Sequence, residues 1–182
     1  CNNAWMSARA LGRYLNKTLP DQDYFYITAD YTWGHTTESS LRQTTGSTDA
    51  GKHPGVKVPF PGARQADYQN ALKQAAASNA KVLVLVLFGE DLVRAMRLAK
   101  DLGLTERMQI VAPNLTQSMV EQAGPSLMQG VIGTEAVTVS GGTGSFLNKN
   151  VGASKPVNVT GFTLGGATTV GSSATPTECT TG

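Results

Sequence analysis

Ala4, Ala8, Leu11 and Leu15 recur at intervals of four, three and four, which puts them on one face of a helix with Asn3 as its N-cap and Pro20 beyond its end. Residues 24–29 (YFYITA) read as a strand rich in aromatic residues, and 35–44 as a helix that follows a break at Gly34. A short strand, GVKVPF, leads into ADYQNALKQAAASNA, a helix with Tyr68, Leu72 and either Ala75 or Ala76 inward and Asp67 near its start, where the helix dipole favours an acid. KVLVLVLF is a continuous apolar run, the pattern of a strand covered on both faces. EDLVRAMRLAKDLGL follows as a helix with Glu90 and Asp91 in its first turn and Gly103 past its end. MQIVAP, a short helix around QSMVEQAG and a last strand, GVIGTEAV, complete the series.

Strand and helix thus alternate about five times, which predicts an α/β fold: an open parallel sheet of about five strands with helices on both faces, joined by right-handed crossovers. Beyond residue 135 the chain becomes dense in Gly, Ser, Thr and Val, and its only charges are Lys149, Lys155 and Glu178. Two regions are expected: an α/β domain over 1–135, and over 136–182 a β-leaning or weakly ordered extension too short to bury a sizeable core.

Composition narrows the partners. With 40% hydrophobic residues the chain can bury a core, and its formal charge of +2 comes from scattered Lys and Arg with no basic block, which argues against nucleic acid as a partner. The longest apolar run, 82–88, falls far short of a bilayer span. The sequence opens at Cys1 without a methionine, the mark of a processed chain or a fragment. Cys1 and Cys179 cannot make a zinc site by themselves; they are two free thiols, or a disulfide in an oxidising compartment, or Cys1 carries a lipid.

Catalysis finds little support. His35, read as a helix start, and His53, read as part of an exposed loop, are the only histidines, and neither has a Cys, His or acid at ligand spacing, so both are expected to be solvated. There is no G-x-S-x-G, and GGTG at 141–144 lacks the strand-to-helix setting of a phosphate loop. No metal, cofactor or enzymatic activity is expected.

Ligands of open parallel sheets bind beyond the carboxyl ends of the strands. There the sequence twice places an aromatic residue before a glycine, as Trp33-Gly34 and Phe88-Gly89. An apolar wall beside the free N–H groups of a helix start suits a small organic solute carrying a carboxylate or amide, although covering the rim of the core would serve equally well as a reason for either ring. Asp30 and Tyr31 lie at the same turn, where Asp often bonds only nearby backbone.

YFYITADYTWGHTTESSLR, ADYQNALKQAAASNAKVLVLV, RAMRLAKDLGL and VIGTEA, in that order, resemble the type I periplasmic solute-binding proteins of the branched-chain amino acid and amide group of ABC transporters. In that family two α/β lobes close around a solute and deliver it to a transporter permease. The resemblance covers the second lobe only, over about 1–135, so it implies a missing N-terminal lobe, a second chain or a further copy as partner, and a periplasmic or extracellular location. It places Trp33 and Phe88 at cleft aromatic positions, with Tyr31, Gly34 and Gly89 beside them. Asn114 falls where amino-acid binders carry an acid for the ligand's ammonium group. An amide supplies no countercharge there, and a charge-assisted bond is roughly twice as strong as a neutral one, so an amide, a carboxylate or an aromatic acid competes with a free amino acid as the ligand. Glu90 is the residue that could compensate, unless it only serves its helix dipole.

The tail allows a second reading. Residues 146–167 are similar to β-rich repeats of secreted filamentous-haemagglutinin-type adhesins, which would make the chain an extracellular structural or filament subunit, with homo-assembly, that reuses a binding-protein lobe. Since closing two lobes buries most of a ligand, one lobe alone is expected to bind weakly at best.

Overall fold

The computed structural model describes residues 4–134 and the strand segments 138–140, 143–146, 157–160 and 163–165. Its elements fall into two compact units, divided after residue 135. The first contains helices α1 (Ala4–Thr18), α2 (Thr32–Thr45), α3 (Gln65–Ala77), α4 (Glu90–Asp101), α5 (Leu104–Arg107), α6 (Gln117–Ala123) and α7 (Pro125–Met128). Its strands are β1 (Tyr24–Ala29), β2 (Gly55–Val58), β3 (Val82–Val86), β4 (Gln109–Ala112) and β5 (Ile132–Gly133), hydrogen-bonded in the order β2-β1-β3-β4-β5, every pair parallel. In the second unit β6 (Thr138–Ser140) pairs antiparallel with β9 (Thr163–Gly165), and β7 (Thr143–Phe146) with β8 (Val157–Thr160). Asn3, Cys1, Cys179 and most of 146–167 lie outside the described residues, as do the N-cap, disulfide and adhesin expectations that rest on them.

The continuous apolar run is explained by a two-sided core. Successive strand side chains point to opposite faces, so Val82, Val84 and Val86 meet Tyr24, Tyr26 and residues of α1 and α2, while Leu83 and Leu85 meet Phe25, Ile27 and residues of α3 and α4. Both sets are fully buried. On α3, Tyr68, Leu72 and Ala75 are buried and Ala76 is only partly so, which resolves the alternative left by the periodicity. The last strand is shorter than GVIGTEAV suggests: Ile132–Gly133 alone pairs with β4.

Two local expectations are corrected. Gly34 does not break α2, which begins at Thr32 and carries Gly34 inside its first turn. His53 is not solvated: the loop folds inward, leaving it 6% exposed, and its Nδ1 accepts the Tyr24 backbone N–H at 3.1 Å. The reason is Arg42, whose Nη1 donates to the carbonyls of Ser47 and His53, both at 2.8 Å, and so draws the 46–54 loop against the sheet. The same guanidinium stacks 3.9 Å over the Tyr26 ring, whose hydroxyl hydrogen-bonds with Ser47 Oγ at 2.7 Å.

This clasp titrates. Nδ1 can accept from Tyr24 only while unprotonated, and burial holds the His53 pKa below its ordinary value of 6.5, opposed by Asp23 and Asp49 and aided by Lys52 and Arg42. With the folded value the lower one, the unfolded chain binds the extra proton between the two. Stability from this group is therefore complete above about pH 6.5 and is lost as pH falls below it toward the folded value. Thermal melts from pH 7.5 to 5 should show that fall, and His53→Gln, which keeps an acceptor but does not titrate, should flatten it; equal slopes in the two proteins would remove His53 as the cause.

Candidate functional site

Because all five strands are parallel, their carboxyl ends open onto one edge of the sheet, and each connection leaving that edge contributes a residue to it. From β1 the chain passes Asp30, whose N–H donates to Val58 O at 2.8 Å, and Tyr31, the extended N-cap of α2. Trp33 is the second residue of that helix. Gly34 allows the arrangement: a Cβ there would lie 2.1 Å from the Ala29 carbonyl oxygen, so only glycine lets the first turn of α2 rest on the end of β1. β2 delivers Phe60, and β3 delivers Phe88 and Gly89, whose φ of 59° and ψ of −134° suit glycine and start α4. β4 delivers Asn114 in the left-handed region, φ 57°, which Asn adopts more readily than most residues, with its N–H directed to Thr134 Oγ1 at 3.4 Å.

Four rings meet along this edge. Phe60 stacks on Tyr31 with centroids 4.1 Å apart and planes 20° apart, Tyr31 stacks on Trp33 at 5.8 Å and 28°, and Trp33 meets Phe88 edge to face at 6.3 Å and 71°. Tyr31 packs against the core on the α3/α4 face and Trp33 against the core on the α1/α2 face, so the row crosses the sheet edge from one layer to the other. The middle rings are half-buried, whereas Phe60 and Phe88 are 43% and 51% exposed. Phe60 was not anticipated. GVKVPF reads as one strand, but pairing stops at Val58, and only the placement of β2 next to β1 brings Phe60 onto Tyr31.

Charge is divided along the same edge. The first turn of α2 contains no acid, and its N-cap Tyr31 makes no side-chain cap bond. Asp30, one residue before it, pairs with His35 Nε2 at 2.7 Å on the surface, so His35 does have an acidic partner, which the sequence spacing did not suggest. The first turn of α4 contains Glu90 and Asp91, again without a side-chain cap. Glu90 pairs with Arg94 at 3.6 Å on an exposed surface, an interaction that holds it only weakly. Burial, with a contribution from Asp91, raises the Tyr31 pKa above 10.0, so its hydroxyl keeps its proton near neutral pH. By contrast, side chains engage the starts of α3 and α6: the Asp67 carboxylate accepts the Arg64 backbone N–H at 2.7 Å, and Thr116 Oγ1 accepts the Met119 N–H at 3.3 Å. Among the described residues no three His, Cys, Asp or Glu side chains are grouped to hold a metal, and no helix is long and apolar enough to cross a membrane.

An apolar row flanked by one acid-free and one acidic helix start is equipped to hold a small amphipathic molecule, and known proteins bear on that. The family model described as periplasmic binding protein matches residues 2–145. No curated protein matches the chain. Among solved structures the chain is similar to a periplasmic binding protein from Burkholderia mallei, with 28% identity, a TM-score of 0.61, and 70% of this chain matched to 33% of that one. It is similar to an amino acid ABC transporter substrate-binding protein from Pseudomonas fluorescens Pf-5, with 26% identity, a TM-score of 0.58, and 70% of this chain matched to 34% of that one. It shares the fold of an ABC-transporter solute-binding protein from R. palustris in complex with benzoate, at 19% identity and a TM-score of 0.54, with 68% of this chain on 33% of that one. The chain therefore spans about a third of the length of these solved structures.

Proposed function

The chain belongs to the periplasmic binding protein family, type I, of ABC transporters, and from that premise we propose that residues 1–135 form one lobe of a solute-capture protein, with 136–182 a separate β-type extension. The lobe binds a small polar or amphipathic solute, an amino acid, an amide or an aromatic carboxylate, for ABC-type uptake in the periplasm, and does so without chemistry. Trp33, Phe88 and Tyr31 supply its apolar wall, Gly34 and Gly89 bring backbone N–H groups close, and Asn114 offers neutral hydrogen bonds. A complementary lobe, from the same protein or another chain, closes over the ligand, and a permease receives it.

The observation that carries this reading is the row of rings at the carboxyl edge of the sheet, exposed at both ends. A rim that only covered a core would turn Phe60 and Phe88 inward, as β1 turns Phe25. Similarity to an amino acid ABC transporter substrate-binding protein from P. fluorescens and to a benzoate-bound solute-binding protein from R. palustris supports these two ligand chemistries. The acid-free start of α2 suits a carboxylate, and Glu90 and Asp91 suit an ammonium group.

One lobe leaves its ligand half solvated, so affinity in the millimolar range is expected. With Trp5 changed to Phe, Trp33 is the sole tryptophan, and its emission should change saturably with leucine, leucinamide or benzoate. A flat response to all three in a protein that still melts cooperatively would refute the reading.

A further inference from the structure

We infer that the opposite edge of the sheet holds a second small-molecule site, built around Tyr24 and His53, which takes a neutral polyhydroxylated ligand of monosaccharide size. β1 and β2 are parallel, so their amino ends lie together, away from the ring row. A cavity of about 310 Å³ opens there, between the ends of α1 and α2, the turn into β1 and the loop before β2. That volume lies at the lower limit for small-molecule sites, which suits one sugar ring and not a chain of them. Its lining includes Asn16, Asp21, Gln22, Tyr24, Lys52 and His53.

Two of these side chains are fixed in the wall with a polar group to spare. Tyr24 is 3% exposed and His53 6%. The Tyr24 N–H donates to His53 Nδ1 at 3.1 Å, and the two rings meet edge to face at 5.8 Å and 63°. With Nδ1 accepting, the neutral imidazole carries its proton on Nε2. Among the described residues neither that N–H nor the Tyr24 hydroxyl has a hydrogen-bond partner, and the side-chain atoms sealed from solvent without one are the hydroxyls of Thr28, Thr37 and Tyr68. The Tyr24 and His53 groups therefore reach the cavity that their residues line. Burial pushes the Tyr24 hydroxyl up to about 12, so it stays a donor.

Acceptors complete the lining. Asn16 and Gln22 donate amide N–H groups to the carbonyls of Thr44 and Pro20, at 2.8 and 3.0 Å, which orients both amides and leaves their oxygens without partners. Charge disfavours an ion of either sign. Lys52 is already matched by Asp23 at 3.5 Å, Asp21 stands in the lining, and the C-terminal ends of α1 and α2 are partly negative, so an anion gains little. A cation would meet Lys52 and leave the Nε2–H donor unmatched. Hydroxyl groups both donate and accept, which matches this mixture.

The test is a titration of the full chain at neutral pH, read by backbone amide NMR shifts, with D-glucose and myo-inositol as polyols and acetate and methylammonium as charged probes. At least one polyol should shift the amides of Gly46, Lys52 and His53 saturably, at millimolar concentrations, and neither ion should. Tyr24→Phe keeps the ring and removes a hydroxyl that no protein group uses, so it should melt at the parent's temperature yet weaken polyol binding by about threefold to tenfold. No saturable shift with either polyol overturns the assignment, as does an ion bound as tightly as the polyols or a Tyr24→Phe variant with undiminished affinity. Shifts gathered at Trp33 and Phe88 instead would move the polyol to the carboxyl edge and remove the second site.

Discussion

Gly34→Ala is expected to destabilise the α/β lobe by about 3 kcal/mol or more, well outside the usual cost of a surface helix substitution. Helix propensity alone predicts the opposite sign, since alanine is favoured over glycine by about 1 kcal/mol inside a helix. The close approach decides the matter. The added methyl would stand 2.1 Å from Ala29 O, 3.1 Å from Ala29 C and 3.2 Å from Thr28 Cγ2. Two of these atoms are backbone of a fully buried strand, so no rotamer change relieves the clash; α2 must lift away from β1 or the strand must shift. The lift would act on the first turn of α2, which contains Trp33, so ligand-induced change in Trp33 emission should weaken as well. Urea unfolding checks the stability and titration checks the coupling; an alanine variant as stable as the parent would show that the helix does not rest on the strand as described.

The second large effect concerns Arg42. Its Nε donates to Glu38 Oε1 at 2.6 Å, its Nη1 to two loop carbonyls, and its plane covers Tyr26, with the Arg42 and Glu38 side chains only 13% and 16% exposed. Removing one partner of a mostly buried pair leaves the other charge uncompensated, here together with two carbonyls that lose their donor. Arg42→Met should therefore cost about 3 kcal/mol by urea denaturation and release the 46–54 loop to proteolysis. Arg42→Lys should recover only part, because an ammonium has neither the fork for these acceptors nor the plane for the ring. Glu38→Gln in the Met background should recover some stability by removing the stranded charge. Equal stability of Arg42→Lys and the parent would mean that charge alone, without the fork, holds the loop.

These two residues also mark where local reading stops. The strands β1 and β3 and the helix α4 are legible because their signals are local: aromatic and β-branched runs, a two-sided apolar strand, acids at a helix start and glycine past its end. Trp33 and Phe88 could be placed at strand ends for the same reason. Gly34 was read as a break because its effect on isolated helix stability is unfavourable, whereas its value lies in a contact with a strand five residues earlier in the chain. His53 was read as solvated because Lys, His, Pro and Gly look like loop, yet a backbone N–H from β1 satisfies its Nδ1 and a guanidinium from α2 its carbonyl, which lets it be buried.

What the amino-acid sequence by itself determined is the order of elements, the two-faced apolar strands and hence a parallel sheet whose carboxyl ends carry aromatic residues. Tertiary structure alone decided which of those ends are neighbours. Because β2 pairs with β1 and β1 with β3, three connections distant in the chain converge, and Phe60, Tyr31, Trp33 and Phe88 become one surface. Periodicity records which face a residue turns toward the core; it carries no record of which strand lies alongside, since that order is chosen by the packing of all the layers together.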